Sequence, residues 1–210
     1  PTRFEMILSD KQTGLYEERR EHDNCGIGAV VDINGRASHA IVEHGKQILL
    51  NLHHRGAAGA DEVTGDGAGI LLQVPHEFAA SEADRLGIDL PAAGAYGMGS
   101  LFSPRDADLR TRCDDLLQAA LAHYDIDLLG WRDVPCDDSC LGELARSAEP
   151  HIRQFFVAAG DQTGEDLERR LFLGRKRAER LVREAFADEA EDFYLCSLSG
   201  RTLLYKGMFM

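Results

Sequence analysis

Apolar positions recur along this chain in two rhythms, and the alternation between them predicts strands mixed with helices. Residues 27–33 (Ile-Gly-Ala-Val-Val-Asp-Ile) are almost continuously apolar and stop at Asn34-Gly35, a turn dipeptide, which predicts a strand buried on both faces. From Ser38 the spacing changes. Ile41, Val42, Ile48, Leu49 and Leu52 recur at helical intervals, and the pattern breaks at Gly56, where a helix C-cap is expected. Gly65-Asp66-Gly67-Ala68-Gly69 then reads as a glycine-rich loop feeding a strand, Ile70 to Val74, that Pro75 stops. A third strand is expected around residues 95–102.

The middle of the chain is more helical. Ser103-Pro104-Arg105-Asp106 places a capping serine, a proline at the first helical position and an acid at the third. Leu109, Cys113, Leu116, Leu117, Ala120, Leu121 and Tyr124 continue that helix. Strand-like runs at 126–132 and 151–158 bracket a loop and a short helix near 139–148. Thr163-Gly164-Glu165-Asp166 reads as a second cap, for a helix with inner face Leu167, Leu171, Ala178, Leu181, Val182 and Ala185. The six arginines from Arg169 to Arg183 interleave with glutamates and read as its solvated face. Residues 193–198 and 201–205 flank Ser199-Gly200 as a hairpin or two adjacent strands, and the apolar ending at Met210 in mid-pattern suggests missing sequence.

Composition narrows the function classes. The 210 residues suffice for one domain with a real core, and 36 acidic against 23 basic residues give a net charge of −13. Such a surface repels phosphate backbones and anionic membranes, which speaks against a nucleic-acid or membrane partner. Residues 1–24 lack the apolar core of a signal peptide and no stretch of 18 apolar residues occurs, so a cytoplasmic location is expected. Five cysteines at irregular spacing fit free thiols in a reducing compartment.

The candidate chemistry centres on Cys25. The first 24 residues are polar and read as a removable leader, domain 1–24, ahead of a domain spanning 25–210. Cleavage after Asn24 would make Cys25 a new N-terminus carrying a thiol and a free α-amine, a nucleophile and its own base in one residue. The α-amine titrates near pH 8, whereas the amide nitrogen of an uncleaved chain cannot act as a base. The uncleaved chain is therefore expected to be inactive.

Three motifs in order carry a family resemblance: Asp23-Asn24-Cys25-Gly26-Ile27-Gly28, then Leu52-His53-His54-Arg55-Gly56-Ala57-Ala58-Gly59-Ala60-Asp61, then Thr64-Gly65-Asp66-Gly67-Ala68-Gly69-Ile70. Residues 196–207, Cys-Ser-Leu-Ser-Gly-Arg-Thr-Leu-Leu-Tyr-Lys-Gly, add a fourth. Together they resemble the class II glutamine amidotransferases, members of the N-terminal-nucleophile hydrolases, and among them the glutaminase domain of glutamate synthase large subunits. The resemblance implies an α+β fold, a four-layer α/β/β/α sandwich of two mainly antiparallel sheets, incomplete at the C-terminus.

The implied reaction is hydrolysis of glutamine to glutamate and ammonia, with Cys25 as nucleophile, its α-amine as base, and Arg55 holding charge near the thiolate. His54, Gly56, Asp66 and Gly67 are expected to shape the supporting loops, and self-removal of the leader would use Asn24 and Cys25. In relatives the oxyanion Asn-Gly, the arginine for the substrate carboxylate and the acid for its amine follow the Tyr-Lys-Gly segment. The 210 residues alone are accordingly expected to have little or no glutaminase activity. The ammonia would aminate 2-oxoglutarate in a synthase region holding FMN and an iron–sulfur cluster, with a small electron-supplying subunit or ferredoxin as partner. No cofactor or metal site is expected within these residues.

Other features carry less. Gly65, Gly67 and Gly69 precede a strand, so they do not form a dinucleotide fingerprint, which opens a helix. His53 and His54 point about 100° apart on a helix and make a poor metal pair. Cys136-Asp-Asp-Ser-Cys140 has a spacing suited to a metal or a regulatory disulfide but lacks a second pair, and Cys113 and Cys196 fall on apolar faces. Two rival readings remain: a catalytically silent interaction module of the same fold, and another class II amidotransferase that aminates a sugar phosphate or phosphoribosylpyrophosphate.

Overall fold

A computed structural model describes residues 26–55, 64, 65 and 67–207, with Arg55 described by its backbone alone. The elements in chain order are α1 (His39–Asn51), β1 (Ala68–Gln73), α2 (His76–Leu86), β2 (Gly97–Ser103), α3 (Ala107–Ala122), β3 (Asp127–Asp133), α4 (Glu143–Ser147), β4 (His151–Ala158), α5 (Gly164–Phe186), β5 (Tyr194–Ser199) and β6 (Thr202–Gly207). The strands form an antiparallel sheet of order β3-β4-β2-β5 and a two-stranded antiparallel sheet β1-β6.

Alternation along the central strands sorts their side chains between two cores. Leu101, Phe155, Val157 and Leu195 face α3 and α5 and meet Leu117, Leu121, Leu167, Leu171 and Ala178 in a buried cluster. Met98 and Phe156 point the other way and pack with Leu203 of β6, Tyr96 and Ala79 of α2. The second sheet and α2 thus cover the face that α3 and α5 leave open. Helix α1 lies against β1, where a Cβ at Gly45 would sit 3.1 Å from Ile70 Cδ1, and none of its residues is fully buried. This is the expected α+β sandwich, with α1 as its thinnest layer.

Strands β5 and β6 are neighbours in sequence but belong to different sheets, so the turn at Ser199-Gly200 is a corner between layers. Glu168 of α5 fixes it, accepting from the Gly200 amide at 2.7 Å and from Ser199 Oγ at 2.9 Å.

Four expectations change. Residues 26–32 belong to no strand or helix and Ile33 opens a turn, and Ile27, Val31 and Ile33 stand 94%, 78% and 93% exposed. The segment instead lies on α1 through its glycines: a Cβ on Gly26 would come 2.9 Å from Leu52, and one on Gly28 2.5 Å from Ile48. The alternating glycines make a flat face for the helix, and an apolar run alone could not tell that from burial in a sheet. The cap of α3 is Asp106, which accepts from the Leu109 amide, and not Ser103. Helix α2 is an element the apolar spacing did not suggest; it closes at Gly87, whose φ of 69° suits a left-handed C-cap. On α5, Phe186 is buried where Ala185 was expected.

Candidate active site

Cys25 and Asn24 lie outside the described residues, so the site is built from what flanks them. Gly26 to Val31, the apolar face of α1 and strand β1 line a hollow of about 1920 Å³, which the end of β6 and Cys136 also border. Contact of Gly26 with Leu52 places the residue after Cys25 at the C-terminal end of α1. A single 3-10 turn, His53–Arg55, follows Leu52 directly. His54 is exposed, and its Nδ1 lies 2.9 Å from the carbonyl oxygen of Asn51, so it closes the end of the helix. Gly56 and Asp66 are outside the described residues.

The glycine-rich loop is moulded from both sides. At its start, Thr64 is buried and its hydroxyl accepts from the Ala145 amide of α4 at 3.3 Å. At its end, Ala68 and Gly69 pair with Gly207 and Lys206. Gly67 has a φ of 115°, and a Cβ there would stand 3.3 Å from the carbonyl oxygen of Gly207. At Gly69 a Cβ would stand 3.0 Å from the carbonyl oxygen of Tyr205 and 3.1 Å from Lys206 Cβ. Glycine is required at 67 by backbone angle and at 69 by the closeness of β6. Thr64 received no role in the sequence because its partner is 81 residues away.

Behind the loop a polar chain crosses the sandwich. Tyr205 Oη accepts from Gln154 Nε2 at 2.9 Å, Gln154 Oε1 accepts from Arg132 Nη1 at 2.9 Å, and Arg132 Nε donates to Glu82 at 2.6 Å. Hydrogen bonds from Arg85 first, and from Arg132 next, pull the Glu82 carboxyl down to about 2. Arg132 and Gln154 are polar residues set beside the apolar Trp131, Phe155 and Phe156 within β3 and β4, a signal the sequence does contain. Lys206, bordering the hollow, holds its ammonium 3.8 Å from the centre of the Tyr194 ring.

Cys113 and Cys196 are buried, and burial pushes both thiols up, Cys113 to about 11. Cys136 and Cys140 are free and exposed. Among the described residues no three His, Cys, Asp or Glu side chains converge as a metal site. No helix among them is long and apolar enough to cross a membrane.

Two antiparallel sheets flanked by helices, with a glycine-flattened segment set beside the turn that ends in Arg55, form an α+β sandwich. The family model for class II glutamine amidotransferases matches residues 25–210, and the chain belongs to that family. It is 38% identical over 200 residues to the NADPH-dependent glutamate synthase large chain of Bacillus subtilis, covering 94% of this chain and 13% of that protein. It is 38% identical over 204 residues to the NADH-dependent glutamate synthase of Schizosaccharomyces pombe, covering 94% and 9%. Over 198 residues it is 34% identical to ferredoxin-dependent glutamate synthase 2 of Synechocystis, covering 94% and 12%. The chain is thus a glutamine amidotransferase domain homologous to the glutaminase portion of glutamate synthases, and it spans about an eighth or less of the length of these relatives.

Proposed function

We propose that this domain supplies ammonia within a glutamate synthase by hydrolysing glutamine with Cys25 as a processed N-terminal nucleophile. The observation that supports this most is the Gly26–Leu52 contact, which ties the segment leading back to Cys25 to the turn ending in Arg55. In this reading the Cys25 thiol gives its proton to its own α-amine and the sulfur attacks the side-chain carbonyl carbon of glutamine. The amine returns the proton to the departing nitrogen, ammonia leaves, and water then splits the thioester to glutamate and free thiol. The Arg55 guanidinium stays charged at any cellular pH and stabilises the thiolate and the negative charge that develops on attack.

Residues 1–24 act as a leader that the same thiol removes by attack on the Asn24 carbonyl. The released ammonia aminates 2-oxoglutarate in a separate synthase region of the cytoplasmic enzyme, where FMN and an iron–sulfur cluster supply the redox chemistry. Electrons come through a small partner subunit or from ferredoxin; the relatives' names divide among NADPH, NADH and ferredoxin.

The test uses full-length protein from its native host. Terminal sequencing should begin at Cys25, a glutamine-mimicking alkylator should label that residue, and Cys25→Ala should abolish both labelling and ammonia release. Arg55→Gln should lower kcat by about 100-fold, the scale of one lost charge-stabilising group. Full glutaminase activity with the leader retained would overturn the reading.

A further inference from the structure

We propose that Cys136 and Cys140 form a reversible dithiol–disulfide site whose state is transmitted to the glycine-rich loop. The two thiols are free, exposed and four residues apart. The chain between them belongs to no helix or strand and already folds back on itself: the Ser139 amide donates to Asp137 Oδ1 at 3.0 Å, and the Leu141 amide donates to the Asp138 carbonyl at 3.0 Å. Such a segment can bring two Cβ atoms to the roughly 4 Å that a disulfide needs without breaking a sheet or a helix. Each thiol is held only by a weak contact to a nearby carbonyl, Cys136 Sγ to Val134 and Cys140 Sγ to Asp137.

What this loop does when it moves follows from its anchors. Arg146 Nη2 donates to the carbonyls of Asp138 and Leu141 at 3.0 and 3.3 Å, so α4 is fastened to the cysteine loop. One residue before Arg146, the Ala145 amide holds Thr64 Oγ1 at the start of the glycine-rich loop. Cys136 itself borders the hollow that Gly26 lines. Closing the disulfide draws Cys136 and Cys140 together and displaces the carbonyls that Arg146 grips. Helix α4, only five residues long, has little packing with which to resist.

The chemistry is exchange with a low-molecular-weight disulfide such as oxidised glutathione. One protein thiolate attacks its sulfur and expels a glutathione thiolate; the second protein thiol attacks the mixed disulfide and expels another. The protein loses two electrons and two protons, and the oxidant gains them as two thiols. Partial burial first, then the charges of Glu149 and Asp138, raise the Cys136 thiol above its ordinary value, which slows its attack on the oxidant.

The transmission, but not the disulfide, rests on the glutaminase reading above. Full-length enzyme is equilibrated in glutathione buffers of stepped redox ratio, alkylated and mapped by peptide mass, with glutaminase rate measured on the same samples. The expected result is a 136–140 peptide that takes up no alkyl group and is two mass units lighter than the free dithiol, a several-fold fall in rate that follows its population, and recovery with dithiothreitol. The Cys136→Ser/Cys140→Ser variant, each sample compared with its own reduced rate, should escape that fall while any direct oxidation of Cys25 persists in both proteins. Failure to form the intramolecular disulfide at millimolar oxidised glutathione, or equal inhibition of the double variant, would overturn the proposal. Absence of glutaminase in the reduced enzyme would instead sink the functional reading and leave the disulfide to stand on the mass data.

Discussion

Gln154 donates to the Tyr205 hydroxyl at 2.9 Å and so joins the two sheets through a side chain that is fully buried. Its other end accepts from Arg132, which is itself held by Glu82. Gln154→Leu strands both the tyrosine hydroxyl and an arginine N–H, whereas Tyr205→Phe strands only the amide. A buried polar group left without its partner costs about 1–3 kcal/mol. The leucine variant should lose more stability than the phenylalanine one, and hydrogen exchange of β4 and β6 amides in the full-length protein should report that order.

Glu82 anchors the far end of the same chain. Its carboxyl falls from an ordinary 4.5 to about 2 because Arg85 and Arg132 bond its charged form. A carboxyl lowered on folding contributes stability above its unfolded pKa and loses it as pH falls through the folded one. Acid titration should therefore show stability declining from about pH 4.5 towards pH 2. Glu82→Gln should flatten that decline and leave the rest of the acid profile unchanged.

Cys113 works in the opposite direction. Burial, and then the charge of Asp114, raise its thiol from 9.0 to about 11. The folded chain keeps a proton that the unfolded chain gives up, so stability is complete below pH 9 and falls as pH rises towards 11. Cys113→Ala should weaken this alkaline slope, measured as the urea midpoint against pH relative to each protein's value at pH 8.

Thr64→Val keeps the shape of the side chain and removes the acceptor for the Ala145 amide. The expected loss is about 1 kcal/mol of local stability, with faster hydrogen exchange at Ala145 and along residues 67–69. If the loop helps to hold glutamine, KM should rise more than kcat falls.

The glycines of the N-terminal segment differ in tolerance. A Cβ on Gly28 would meet Ile48 Cγ2 at 2.5 Å, a branch fixed close to the helix, while one on Gly26 meets the end of the flexible Leu52 side chain. Gly28→Ala should cost about 1–3 kcal/mol by overpacking and slow release of the leader. Gly26→Ala should cost less in both, as followed by thermal unfolding and by the mass of the N-terminus.

Much of the fold was legible because local pattern and tertiary environment agreed. Residues 151–158 read as a strand and are β4, and the apolar stripe from Leu167 to Val182 is the buried face of α5. The misreadings fall where they disagree. Residues 27–33 have a buried strand's composition but spend their glycines on α1. Helix α2 escaped notice because its buried residues, Ala79 and Ala83, are too small to mark an apolar face. At the site, the motifs marked residues 52–61 and 64–70, but the anchor at Thr64 and the chain from Glu82 to Tyr205 join residues distant in sequence. No periodicity encodes such partners.

The pairing of β1 with β6 sets Gln73 opposite Thr202 and Ala68 opposite Gly207, separations of 129 and 139 residues. Closing so long a loop is entropically expensive and slow compared with the local helices. On the ribosome, the stretch Gly67–Gly69 must therefore wait for about 140 further residues to emerge before it meets the backbone that gives it shape. Synthesis itself acts as a timer, and the glycine-rich loop is set later than the helices encoded between its two strands.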